Sequence, residues 1–464
     1  MTQQTLEDNI GQSRSGLTAP IALSALLAIT WVVTLSAVGA AAYLAPLGLL
    51  MAGGAAWLVA CAISGRSWAL AGMLGFAIVV PNIYFQRQEL HEAVGLNAQN
   101  GLKLLLWTAM GAVGLARLTK YRALMNDRAI QSISIFALIA IASTLWSRTP
   151  AYTAVGSIGF LAAIMFCCAV AAEISEEAVY KTVVASFVIY AALNVAAAIA
   201  LPETAWLFPH GETEAPRLQG ISSHPNILGK EMASFICLLL PLALAYGRKR
   251  TAYILVALAI AIIIATHSRT SLGAIIITLA LPIIARPTVA KSVAYILAIA
   301  ITGALLSLAV GFVPNLQALL DGASRTSDGS EILTLTGRTE LWGFVWDKIL
   351  DAPFLGHGFN AADAVLSREW WGAPDASVGA HNTWLQSLLT TGVVGTIPFV
   401  YFHAELIRRW FSDPNTLTRL ISTYILILGM TEVEIAAHPV MLTITVLLIV
   451  AMDVRRKQKV TVTS

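Results

Sequence analysis

Apolar residues in this chain come in long unbroken runs, with neither the alternation of a half-buried strand nor the narrow stripe of a surface helix. A helix that crosses a bilayer needs about 20 mostly apolar residues. Runs of that kind lie near 21–40, 44–63, 68–85, 101–119, 129–146, 153–172, 179–200, 226–247, 251–267, 271–285, 291–312, 383–404, 420–436 and 439–453. Those at 251–267 and 271–285 are short, and a tight Ala-Ala-His-Pro turn joins the last two. Any of these four could be re-entrant or fused. The pattern therefore predicts an all-α polytopic membrane protein with about 12–14 transmembrane helices.

Two polar stretches interrupt the runs, a short one at 201–225 and a long one at 313–382. In the long one, Leu341, Phe344, Val345 and Ile349 recur at helical spacing. A Thr336-Gly337 start precedes them and Asp351-Ala352-Pro353 ends them, so the insert reads as mostly helical. Trp342, Trp346, Trp370 and Trp371 suit either the headgroup layer or a small core of the insert's own. The chain thus divides into a tail (1–20), N-terminal helices (21–200), a loop (201–225), central helices (226–312), the large loop (313–382), C-terminal helices (383–453) and a second tail (454–464).

Composition agrees. The chain is 57% hydrophobic and 12% charged, with a mean hydropathy of +0.74; a soluble domain carries about 25% charged residues. Placement of charge says more than the net +3. Most of the 29 lysines and arginines fall in alternate loops and the C-terminal tail, among them Arg117, Lys120, Arg122, Arg128, Arg248, Lys249, Arg250, Arg455, Arg456 and Lys457. By the positive-inside rule both termini are expected in the cytoplasm, with loops 201–225 and 313–382 and the turn at 267–271 on the outer face. The N-terminus has no basic region of the cleaved-signal kind, so the run from Ile21 is expected to be a retained anchor. Cys61, Cys167, Cys168 and Cys237 all lie in apolar runs and read as small buried hydrophobes.

Three outer places combine residues that can do chemistry. The first is Arg217 to Gly220, followed by Ser223-His224-Pro225-Asn226. The second is His267 to Ser271, between two short runs. The third is His381-Asn382, where the large insert re-enters the membrane, with Gly356-His357-Gly358 upstream. Arg217 and Arg269 suit either a lipid headgroup or an anion site. Arg269 has apolar sequence on both sides, and an ionisable group at a membrane edge is costly without a partner. Guanidinium donates forked hydrogen bonds to phosphate and keeps its charge, so two of them would hold a diphosphate without a metal. His381 is placed to act as a base, since imidazole titrates near neutral pH. Turn geometry explains His224 and His357 as well as chemistry does. Glu432 and Glu434, near the outer end of a run, and Lys230 and Glu231, at the start of another, are expected to pair structurally, with Arg217 or Arg269 among the partners. Glu432-Val433-Glu434 is the nearest approach to an acidic metal pair; no Asp-x-Asp lies in an outer loop, and no metal, cofactor or nucleic-acid partner is expected.

The chain resembles the O-antigen ligase and O-antigen polymerase superfamily of bacterial inner-membrane proteins. The resemblance rests on R-L-Q-G-x-S-S-H-P-N-x-L-G at 217–229, S-R-T-S-L-G at 268–273, T-G-R-T-E-L-W at 336–342, G-H-G-F-N at 356–360 and H-N-T-W-L-Q-S-L-L-x-x-G-x-x-G at 381–395. It covers roughly residues 180–440; the order of the motifs is more specific than any one of them. The resemblance implies a glycan carried on undecaprenyl diphosphate, transferred at the periplasmic face with inversion to a sugar hydroxyl. The acceptor is lipid A-core in a ligase and a second lipid-linked glycan in a polymerase; protein-glycosylating ligases share the motifs. It further implies that Arg217 and Arg269 grip the diphosphate and that His381 is the general base. Arg338, Asn382, Asn226 and His224 are possible supporting residues, with a helix-start role equally open for Arg338. The single large insert ending at H-N-x-W-L favours the ligase. A lipid-linked glycan exporter is the reading from another class, and it would need a charged path through the bilayer.

Overall fold

The computed structural model describes residues 45–84, 98–208, 215–246, 249–284, 338–367, 379–412 and 416–463. The expected runs at 21–40 and 291–312, the N-terminal tail, the Thr336-Gly337 start, Trp370, Trp371 and most of the large insert lie outside these residues.

The described chain is almost wholly helical. Its main helices are α1 (Ala45–Ile63), α2 (Ser67–Val79), α3 (Ala98–Ala116), α4 (Arg128–Ala142), α5 (Pro150–Glu173), α6 (Glu176–Ala200), α7 (Pro225–Tyr246), α8 (Lys249–Thr266), α9 (Arg269–Ile284), α10 (Arg338–Asp351), α11 (Thr383–Ser412), α12 (Thr416–Leu428) and α13 (Met441–Thr463). Five segments, Arg128–Leu145, Pro150–Glu173, Glu176–Ala200, Lys249–Thr266 and Thr383–Ser412, are long and apolar enough to cross a membrane, and four shorter helices are equally apolar. The chain is a multi-pass membrane protein. Helices α3 and α13 pack on α5, α4 on α11, α2 on α6, and α8, α9 and α12 on α7. All four cysteines are free and buried.

Charged partners gather at the two ends of the bundle. At one end the Arg117 fork donates to Glu173 at 2.6 and 2.5 Å. Arg409, fully buried on α11, pairs with Asp453 of α13 at 2.9 Å and with Asp127, the N-cap of α4, at 2.5 Å. Between the ends α13 is apolar from Val446 to Met452, every residue buried.

Two expectations about helix limits are corrected. The run at 420–436 is helical only to Leu428, and residues 429–440 form an irregular segment in place of a tight turn. Glu432 and Glu434 therefore sit on non-helical backbone. Buried pairing of their carboxylates, described below, holds the segment open. The run at 383–404 continues to Ser412 but breaks at Gly392, whose φ of 61° and ψ of −169° are not helical.

The break in α11 explains the G-H-G-F-N motif. Residues 353–358 run beside it, and His357, Gly358, Val393 and Val394 amides donate to Leu389, Thr390, Pro353 and Phe354 carbonyls. The amides and carbonyls freed by the break are thus satisfied by a second stretch of backbone, as buried non-helical chain requires. A Cβ on Gly356 would lie 2.5 Å from the Thr390 carbonyl carbon, and one on Gly392 would overlap Phe354. Phe359 then enters the core, 6.0 Å from both Phe136 and Phe160, with its amide on Ser143 and its carbonyl on Thr153. This motif is a clamp between the insert and the bundle.

Gly392→Ala tests the clamp. Its backbone lies where essentially only glycine is found, at a cost of about 1–3 kcal/mol for another residue before any overlap. We expect a lower unfolding temperature in detergent, with Gly343→Ala of α10, where a Cβ meets nothing within 4 Å, as the helical comparison. An unchanged unfolding temperature would mean that the two stretches separate freely.

Candidate functional site

Four stretches of chain meet at the other end of the bundle. The first enters through a two-residue hairpin, β1 (Trp206–Leu207) and β2 (Arg217–Leu218), with Leu207 opposite Arg217. The Gly220 φ of +58° turns the chain toward α7, and Asn194 of α6 accepts from the Ile221 amide at 2.9 Å. The hairpin buries Arg217, whose Nε donates to the Thr266 carbonyl at 3.0 Å and whose Nη2 donates to Asn226 Oδ1 at 2.6 Å. Asn226 thus holds Arg217 from the first turn of α7. His224 is exposed, and its Nδ1 accepts from the Asn226 amide at 3.2 Å, a helix-start contact.

The second stretch is the turn between α8 and α9, where Arg269 is the first residue of α9. Gly229 of α7 packs so closely against this turn that a Cβ would meet Ser268, Ser271 and Thr266 at 2.8–3.0 Å. The arginine-bearing hairpin and the arginine-bearing turn are therefore joined by Thr266 and by glycine packing.

The third stretch is the start of α11. Asn382 caps that helix: its Oδ1 accepts from the Trp384 and Leu385 amides at 2.9 and 3.1 Å, and its Nδ2 donates to Met430 at 3.0 Å. His381 just before it is held at a φ of +45° and is partly exposed, at 31% of its side chain. The fourth stretch is 429–440. Thr383 Oγ1 donates to the Glu432 carbonyl at 2.9 Å and accepts from the Glu434 amide at 2.7 Å, so α11 and the irregular segment share one hydroxyl.

Glu432 is the junction. Its Oε1 accepts from Arg338 Nη2 at 2.7 Å and lies 3.5 Å from Thr270 Oγ1; its Oε2 lies 3.6 Å from His381 Nδ1. Arg338 also donates to the Thr431 carbonyl. Burial pushes the Glu432 carboxyl up, but the His381 ring and the charges of Arg338 and Lys230 outweigh it and hold the group well below the usual carboxylate range. Two residues on, Glu434 Oε1 accepts from Lys230 Nζ of α7 at 2.6 Å. The pairing expected for these glutamates is therefore present, with Arg338 as the partner of Glu432 and Lys230 as the partner of Glu434. Neither the spacing nor the composition of the sequence pointed to the His381–Glu432 contact.

The structure brings Arg217, Asn226, Arg269, Arg338, His381 and Asn382 to one end of the bundle, linked through Thr266, Thr270 and Glu432. It gives His357 a different place, inside the clamp, with Nε2 at 2.8 Å from the Lys348 carbonyl. Trp342 donates to the Ala380 carbonyl at 2.9 Å, an internal contact of the insert, while Trp346 is 49% exposed. Strain gathers here too: His267, His381 and Ile435 all have positive φ, and for a β-branched residue such as Ile435 that is a true outlier. Among the described residues no group of three or more His, Cys, Asp or Glu is placed to hold a metal ion.

Two stability outcomes follow. Lys230→Met leaves a carboxylate buried beside no cation, which costs about 3–5 kcal/mol; adding Glu434→Gln should recover much of it, read by thermal unfolding in detergent. Because the Glu432 carboxyl is depressed in the fold, its stabilisation is complete above the ordinary carboxylate range and is lost as pH falls through the depressed value. The fall in unfolding temperature below about pH 4 should therefore be shallower in Glu432→Gln than in the unmodified protein.

No curated protein matches the chain. Residues 235–400, which include Arg269, Arg338, the clamp and His381, match the family model described as O-antigen ligase, and this match supports a member of the O-antigen ligase and polymerase superfamily.

Proposed function

We propose that this protein is an O-antigen ligase. It transfers a glycan from undecaprenyl diphosphate to a sugar hydroxyl of lipid A-core, at the periplasmic face of the bacterial inner membrane. The observation that carries this reading is that the α8–α9 turn, which bears Arg269, holds Arg217 through the Thr266 carbonyl on one side and lies through Thr270 beside Glu432, the carboxylate next to His381, on the other.

In this mechanism the two guanidinium groups receive the diphosphate of the donor. The acceptor oxygen attacks the anomeric carbon from the face opposite the diphosphate, while His381 takes the hydroxyl proton. The bond from the anomeric carbon to the diphosphate oxygen breaks, and its electron pair leaves with the diphosphate. One C–O bond forms and one breaks, and the anomeric centre inverts. Diphosphate is a good leaving group once its charge is met, so fixed arginine charge takes the part of a general acid. Asn226 serves the donor side by holding Arg217, and Asn382 serves the acceptor side by capping α11. His224 is a helix-start residue in this account.

An exporter would need charged groups along the bundle. The apolar middle of α13, between Glu434 at one end and Asp453 at the other, favours chemistry at one face. A polymerase would use the same site with a second lipid-linked glycan as acceptor.

The test is reconstitution of the purified protein with undecaprenyl-diphosphate glycan and rough lipopolysaccharide, in EDTA. We expect glycan joined to lipid A-core without added metal. Dependence on Mg²⁺ or Mn²⁺ would remove the arginine account, growth of lipid-linked glycan alone would make the protein a polymerase, and movement of intact donor across vesicles without product would make it an exporter. His381→Ala should lower transfer about 10²–10⁴-fold and keep donor binding. His224→Ala and His357→Ala should not, although the second should lower stability. Arg217→Lys and Arg269→Lys should rescue poorly, since an ammonium cannot make the forked contact; full activity in both would return these residues to headgroup anchoring.

A further inference from the structure

A carboxylate buried behind a partly exposed imidazole, and fixed by groups of its own, has the arrangement in which a histidine base is oriented from its far side. Glu432 meets that description. Its side chain is 8% exposed, against 31% for that of His381. Arg338 and Thr270 engage its Oε1, and its Oε2 faces His381 Nδ1. Its backbone is pinned by Thr383, the residue that begins α11 two positions after His381. The 3.6 Å separation is longer than a tight hydrogen bond, and catalytic contacts of this kind often shorten only when substrate is bound.

We propose that Glu432 is a positioning residue for His381. It accepts from Nδ1–H, so that Nε2 is the nitrogen that takes the acceptor proton, and Arg338 and Thr270 serve to hold Glu432 in place, not to hold the donor. The proposal rests on the reading of His381 as the base. It also gives the site a physical link between its halves, because Thr270 follows Arg269 directly. The donor-side turn and the acceptor-side base thereby share one carboxylate.

The experiment is a mutant cycle in the reconstituted transfer assay, with unmodified protein, Glu432→Gln, His381→Ala and the double variant. Glu432→Gln should lower kcat by up to the about 10²–10⁴-fold expected for loss of the base itself, with the donor KM within about twofold. In the His381→Ala background the same change should cost nothing further, since Glu432 acts only through the imidazole. Should Glu432→Gln unfold the protein, the paired variant Arg338→Gln with Glu432→Gln removes both buried charges together and replaces it in the cycle. Selective ¹⁵N-histidine NMR supplies a readout independent of turnover: His381 should carry its proton on Nδ1 in the unmodified protein and lose that preference in the glutamine variant. An Nε2–H tautomer, an unchanged kcat, or an equal loss in both backgrounds would overturn the proposal while leaving His381 as the base. Normal transfer by His381→Ala would overturn the proposal together with the reading beneath it.

Discussion

Backbone that leaves helical geometry inside a membrane bundle must find a partner for every amide and carbonyl it frees. That constraint shapes the site end of this protein. Residues 429–440 satisfy it by borrowing from their neighbours: Thr383 bonds the backbone of Glu432 and Glu434, Asn382 bonds Met430, and Asn360 accepts from the His438 amide at 3.1 Å. Each donor or acceptor belongs to a stretch that also carries a motif. The segment that contributes Glu432 is therefore built by the residues around it, and His381 is placed by the same contacts.

The two ends of the bundle use charge differently. At the Arg409 end, cations and carboxylates are matched into ion-pair sets: Arg409 with Asp453 and Asp127, Asp453 also with Arg456 and Lys457, and Arg117 with Glu173. Buried pairs of that kind hold helices in register and do little else. At the site end the carboxylates are two residues apart and draw on different partners, Glu432 on Arg338 and His381, Glu434 on Lys230. A carboxylate shared between a guanidinium and an imidazole is a junction that substrate can reach through the more exposed member. The same physical chemistry serves architecture at one face and, in the mechanism we propose, reactivity at the other.

Much of this was legible in the sequence because membrane helices announce themselves by length and apolarity alone. The runs near 153–172 and 179–200 coincide with α5 and α6, and the period of Leu341, Val345 and Ile349 marks the buried side of α10. The grouping of Arg217, Arg269 and His381 was readable from their common place at run ends. What the pattern could not carry was pairing at a distance. Glu432 lies 94 positions from Arg338 and Glu434 lies 204 from Lys230, and nothing local tells one arginine from another as a partner. The end of α12 at Leu428 was hidden for a similar reason: Thr431 to Ala437 is apolar enough to continue a helix, and only tertiary hydrogen bonds pull it out of one. Gly356 and Gly392 likewise read as ordinary loop and helix glycines until their backbones are seen side by side.

That contact between Gly356 and Gly392 closes a circuit of chain around the large insert. Within the circuit, Ser367 is tied back to Asp363, and Ala380 is tied to Gln386 and Trp342. The bond from Ala380 to Gln386 joins the insert to α11. His381 therefore stands between two anchorages, the Ala380–Gln386 contact before it and the clamp at Gly392 after it, so its place is set by tertiary bonds on both sides.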